Sequence, residues 1–149
     1  DGVMEDTDRR ILELLATDGR ISFTELGRKV GLSTSATQQR VRRLEQRGII
    51  TGYRADIDPI MVGRGLTAII EISPMAADQE EPIPSFLADI PEIISCYSVS
   101  GHASYMCVVQ VASTEALDQL LTDIRVGVSV NTQTTIVLRT TFSNRPLVG

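Results

Sequence analysis

Residues 32–48 read LSTSATQQRVRRLEQRG. The first half offers small hydroxyl and amide side chains, and the second half holds four arginines. The chain around it is acidic, with a formal net charge of -5 over 149 residues. Set on a helix from Ser33 to Arg47 at about 100° per residue, the stretch divides into faces. Thr37, Val41 and Leu44 fall together as a stripe suited to burial. Arg40, Arg43 and Arg47 share one flank, with Ala36 above them, and Gln38, Arg42 and Glu45 share the other. The arginines thus border an exposed face whose first turns carry Ser33, Thr34, Ser35, Gln38 and Gln39.

Two more helices precede this one. The first spans about Asp8 to Thr17, with Ile11, Leu12, Leu14 and Leu15 as its apolar face; Asp6 and Asp8 favour its N-terminus, and Gly19 ends it. The second opens at Ser22-Phe-Thr-Glu25, a capping-box spacing, and carries Leu26 and Val30 before Gly31 stops it. Only Gly-Leu-Ser separates the second helix from the third, and so short a turn makes them cross steeply. This is the outline of a DNA-binding helix-turn-helix.

Charge supports that outline. Residues 20–54 carry eight basic and two acidic side chains, net +6, whereas residues 1–19 are net -4 and residues 60–149 net -5. A basic block inside an acidic chain points to a polyanion partner. A recognition helix reads base edges with its N-terminal residues. Gln38, Gln39 and Arg42 suit base or near-base contact, since Gln pairs with adenine in a bidentate manner. Arg40, Arg43 and Arg47 suit phosphates, and pairing with Glu25 or Glu45 is their structural alternative. A merely solubilising surface helix would not need the short turn, the local charge and the polar first half together.

Residues 48–59, GIITGYRADIDP, alternate like a strand leading to a hinge at Pro59. From Leu66 the pattern becomes strand (LTAIIEIS), short helix (PSFLADI), strand (EIISCYSVSG), strand (YMCVVQVA), capped helix (STEALDQLLTDIR) and a final strand (NTQTTIVLRTTF). That order, βαββαβ, is the ferredoxin-like arrangement. The expected fold class is α+β: an N-terminal helix-turn-helix domain over 4–50, winged-helix-like, a hinge over 51–65, and a ferredoxin-like, ACT-like domain over 66–149. Such a sheet has one face under two helices and one face free, which argues for a dimer.

Other features bound the reading. No run reaches the ~18 apolar residues of a membrane span, and no signal peptide is visible at the start. Asp1-Gly2-Val3 precede Met4 and are expected to be an added remnant. Cys96 and Cys107 lie in apolar, strand-like runs without metal-ligand spacing, so both are expected to be buried thiols of a reducing cytoplasm. With one histidine and no nucleophile–base spacing, no catalytic constellation, metal site or cofactor motif is evident.

The segments D6-TDRRILELL15, R20-ISFTELGRKVGLS33, V41-RRLEQRGII50 and Y53-RADIDP59 together resemble the Lrp/AsnC, or feast/famine, family of transcription regulators. The second half matches too, at V99-SGHASY105 and N131-TQTTIVL138. The resemblance implies a helix-turn-helix, a hinge strand and a C-terminal sensing module. It implies dimers through that module, octamers built from dimers, cytoplasmic work on the nucleoid, and control of amino-acid metabolism genes. It also implies an amino acid or related metabolite bound between dimers, at Gly101, His102, Ala103, Ser104 and Tyr105 with Thr132 and Thr134. The loop departs from the family's Gly-x-x-Asp-Tyr: Ser104 stands where an acidic residue usually precedes the tyrosine, leaving a neutral group to meet the ligand's ammonium. His102 reads either as an exposed turn residue or as a pH-dependent ligand contact. Gly127, in a flexible VGVSV segment, is expected to enlarge the effector cleft. The rival reading is a metabolite-binding oligomeric module whose helical domain serves protein contacts; a salt-dependent shift of DNA separates the two.

Overall fold

The computed structural model describes residues 4–148. The remnant expected at residues 1–3 lies outside them. The chain divides into two units: the residues up to Asp56 together with the tail from Phe142, and Ile57–Thr141.

In the first unit, α1 (Asp6–Thr17) starts two residues earlier than its apolar pattern suggests, with Glu5 at the cap position and Asp6 and Asp8 in the first turn. Those acids face the positive end of the helix dipole. The second helix, α2 (Phe23–Val30), is capped by Ser22, whose hydroxyl accepts from the Glu25 backbone N–H at 3.1 Å. The return half of the capping box is missing, because the Glu25 carboxylate is held by Arg28 instead. Gly31 ends α2 in the left-handed region, φ 76°, where a side chain would be strained. Ser33 caps α3 (Thr34–Gln46) by accepting from the Ala36 N–H at 3.1 Å.

Thr37, Val41 and Leu44 are the buried residues of α3, as the helical projection requires. They close a core with Ile11, Leu12 and Leu26, joined by Val148 of the tail. Thr37 is fully buried yet satisfied, its hydroxyl donating to the Ser33 carbonyl at 2.8 Å. The close approach of α2 to the turn and start of α3 depends on Gly27. A Cβ there would lie 2.6 Å from the Leu32 carbonyl oxygen and 2.7 Å from the Thr37 hydroxyl. Close packing of this kind leaves no room for even one methyl group.

The expected strand over 48–59 does not form. Gly48 turns with φ 74° and residues 51–58 run without a ladder partner among the described residues. Alternation makes a segment ready for a sheet, but a strand exists only where a neighbouring backbone takes its hydrogen bonds.

The second unit is a four-stranded antiparallel sheet in the order β2-β3-β1-β4, built from β1 (Leu66–Pro74), β2 (Ile93–Ser98), β3 (Tyr105–Val111) and β4 (Val130–Ile136). Two helices, α4 (Ile83–Ala88) and α5 (Thr114–Gly127), cover one face, with a single 3-10 turn at Ala77–Gln79. This is the expected βαββαβ order. Ala68, Ile70 and Ile72 alternate inward on β1 and meet Cys107, Val109 and Val111 of β3, with Ile83, Leu87, Leu117, Leu120 and Ile124 above them. The residues between them, including Ile69 and Glu71, face away. The final strand is shorter than its β-rich sequence suggests. Val137 gives the last bond, to the Thr67 carbonyl at 2.9 Å, because the neighbouring strand begins at Leu66 and offers no backbone further on.

Two further expectations are corrected. Cys107 is buried, but Cys96, on the edge strand, is exposed. Gly127 is not in a flexible loop: it is the last residue of α5, and a Cβ there would stand 2.0 Å from the Phe86 ring. Its smallness makes room for the packed Phe86 ring.

Candidate nucleic-acid interface and effector site

The exposed face of α3 presents Thr34, Ser35, Gln38, Gln39, Arg42, Arg43 and Arg47 to solvent. Among the described residues, Arg42, Arg43 and Arg47 enter no ion pair, so their guanidinium groups are available to an anion. Two residues of the expected set have internal work. Ser33 is spent as the α3 cap. Arg40 reaches back to α1, 2.9 Å from the Glu5 carboxylate and 3.2 Å from Asp8. Its hydrogen bonds to Glu5 and Asp8 raise its pKa, and the same contact lowers that of Glu5. Of the partners foreseen for these arginines, Glu25 is held by Arg28 instead, and among the described residues no ion pair joins Glu45 to any of them. Thr24 was not foreseen. Its hydroxyl lies 3.2 Å from that of Thr34, so the first turns of α2 and α3 meet; sequence spacing alone gives no distance between helices.

In the sheet unit a pocket of about 190 Å³ is lined by Glu71, Ser73, His102, Ala103, Asn131, Thr132 and Gln133. It joins the end of β1, the β2–β3 turn and the start of β4. The structure therefore brings His102, Ala103 and Thr132 together, and it adds Glu71, Ser73, Asn131 and Gln133, which the sequence did not single out. Register explains the grouping, since Glu71 stands opposite Gln133 and Ser73 opposite Asn131. Glu71 is the one visible signal, the single charged residue of β1.

The remaining expected residues lie apart. Gly101 is exposed in the turn beside the pocket. Ser104 acts through its backbone, donating to the Ile72 carbonyl and accepting from Val99. Tyr105 packs against the helix-covered core, where burial first, then Glu80 and Cys96, raises its pKa. Thr134 pairs with Ile70 on that same covered face. Of the residues in the pocket, Thr132 also accepts from Arg125 of α5 at 3.3 Å. A larger cavity, about 510 Å³, opens at the opposite end of the sheet near Arg64, Pro91 and Asp123 and contains none of the expected residues.

A helix-turn-helix whose last helix presents an exposed basic face, joined in one chain to a sheet module with a polar pocket, defines a DNA-binding regulator with a sensing domain. Comparison with known proteins agrees. Residues 4–45 match the AsnC-type helix-turn-helix domain and residues 67–147 the Lrp/AsnC ligand binding domain. The HTH-type transcriptional regulator LrpA of Mycobacterium tuberculosis is 46% identical over 142 residues, covering 95% of both chains. The feast or famine regulatory protein of M. tuberculosis, solved in complex with L-methionine, is 45% identical with a TM-score of 0.93, over 99% of this chain and 100% of that one. A transcriptional regulator of Neisseria meningitidis, also an L-methionine complex, is 28% identical with a TM-score of 0.90, over 97% and 96%. The chain belongs to the Lrp/AsnC family. It is a DNA-binding, metabolite-responsive transcription regulator rather than an enzyme. Among the described residues, no helix is long and apolar enough to cross a membrane.

Proposed function

We propose that the chain binds operator DNA as a symmetric dimer, with α3 of each protomer in the major groove. Gln38, Gln39 and Arg42 approach base edges, while Arg43 and Arg47 neutralise phosphates and fix register. The observation that carries this reading is the division of α3 into a buried Thr37-Val41-Leu44 side and an exposed side with three unpaired arginines. The dimer forms through the open sheet face, where Ile69 neighbours Val108 and Met106 neighbours Tyr97. Dimers join into larger rings such as octamers, which wrap or bridge DNA.

The effector is an amino acid, as the L-methionine complexes of the two relatives suggest, and it binds at the Glu71–His102 pocket. Glu71 takes the role that Ser104 cannot, pairing its carboxylate with the ligand's ammonium. The effector shifts assembly and DNA binding only by its differential affinity for the two states, and the genes controlled serve amino-acid metabolism. The test is fluorescence anisotropy on DNA from the chain's own upstream region, at rising salt, with and without single amino acids. A steep salt dependence specific to that DNA is expected. Salt-insensitive binding, or no change in affinity or light scattering with any amino acid, would refute the respective half.

A further inference from the structure

Cys96 and Cys107 stand directly opposite each other on β2 and β3. In an antiparallel ladder, hydrogen-bonded and non-hydrogen-bonded pairs alternate. Val99 donates to the Ser104 carbonyl, which marks that pair as hydrogen-bonded. Counting back along the register, Tyr97–Met106 is of the same kind and Cys96–Cys107 is of the other. Non-hydrogen-bonded pairs bring their Cα atoms to about 4.5 Å, with side chains at their closest. Disulfides span Cα separations of about 4.4–6.8 Å. Opposed residues also point to the same face of the sheet. The two differ in access. Cys107 is completely buried, whereas Cys96 is exposed. Burial, then the Cys96 contact, pushes the Cys107 thiol up to about 12, so it stays protonated and does not start a reaction.

We propose that Cys96 and Cys107 form a peroxide-sensitive dithiol that closes into a cross-strand disulfide within one chain. The Cys96 thiolate attacks one oxygen of a hydroperoxide, and the O–O bond breaks. This leaves a sulfenic acid on Cys96 and a hydroxide or alkoxide that takes up a proton. The Cys107 sulfur then attacks the Cys96 sulfur, the S–O bond breaks, and the departing hydroxide leaves as water with the Cys107 proton. Two electrons pass from the two thiols to the peroxide. The bond ties together the base of the hairpin whose turn carries His102 and Ala103. A dithiol reductant reverses it by exchange.

The experiment treats the reduced, full chain with hydrogen peroxide, alkylates it after denaturation, and maps the peptides by mass. Both thiols are expected to disappear together, with the Cys96 and Cys107 peptides linked inside one chain and released by dithiothreitol. Cys107→Val keeps an apolar group in the core and should stop at a sulfenic acid on Cys96 that dimedone traps. Cys96→Ser should leave Cys107 as a free thiol at the same dose. The proposal is overturned if the unsubstituted protein shows Cys96 oxidised, or linked between chains, while Cys107 still alkylates. It is equally overturned if both thiols survive a dose that oxidises free cysteine.

Discussion

In the helical unit every candidate DNA contact belongs to one continuous helix, α3, or to its two caps, and the rest of the unit holds that helix by its buried side. In the sheet unit the pocket draws on three separated segments, β1, the β2–β3 turn and β4. Helical neighbours three or four residues apart share a face, so a projection of the sequence already groups them. Neighbours across a sheet are grouped by strand order and register, which no single segment specifies. The first site is thus readable from a seventeen-residue stretch, and the second only from the assembled sheet.

The comparison is tested hardest at the arginines. Arg42→Ala, Arg43→Ala and Arg47→Ala together should weaken DNA binding by a factor on the order of 10²–10³ at moderate salt. The slope of log affinity against log salt should fall by about 1 for each phosphate contact removed. Anisotropy titrations at several salt concentrations measure both. An unchanged slope would show that the exposed face of α3 is not where phosphates are met.

What the sequence yields follows the same division. The Thr37-Val41-Leu44 stripe, the Ser22 and Ser33 caps, the Gly31 stop and the βαββαβ order were all legible, because each depends on residues close in the chain. The sequence alone falls short where a distant partner decides. Residues 48–59 alternate correctly but pair with no strand among the described residues. Arg40 has the spacing of a phosphate contact, yet Glu5 and Asp8 of α1 claim it. Gly127 looked like a loop glycine until Phe86 was placed against it. Glu71 entered the pocket only through its register with Gln133.

In the helical unit Gly27 matters through the distance between two helices rather than through a pattern. Gly27→Ala adds a methyl group against the Leu32 carbonyl and the Thr37 hydroxyl. Overpacking of this sort costs about 1–3 kcal/mol. Urea unfolding should show that loss, with DNA affinity falling in step as α3 is displaced. Full stability in the variant would mean that the two helices are not held this close.

For the sheet unit the corresponding substitution is Glu71→Gln, which keeps the shape and removes the charge. If the carboxylate pairs with an effector's ammonium, calorimetric titration with the responsive amino acid should show affinity reduced by about tenfold or more. Folding stability should be preserved, since no hydrogen bond or ion pair from Glu71 to the described residues is lost. Equal affinity in the two proteins would move ammonium recognition away from β1.

Arg40 provides the finest distinction, because its sequence position says DNA and its contacts say fold. Arg40→Ala leaves Asp8, a buried carboxylate, without its partner, at a cost on the order of 1 kcal/mol for a pair still reached by solvent. The salt slope of DNA binding should barely change, in contrast to Arg43→Ala. The pair also has a pH signature. Contact with Arg40 lowers the Glu5 pKa from its ordinary 4.5, so the folded state binds fewer protons than the unfolded state in that range. The pair's contribution is therefore complete above pH 4.5 and is lost as pH falls through the lowered value. Acid titration of the helical unit's unfolding midpoint should be flatter below pH 4.5 in Glu5→Gln and in Arg40→Ala than in the unsubstituted chain. Parallel acid limbs combined with a reduced salt slope for Arg40→Ala would return this arginine to the DNA-binding set.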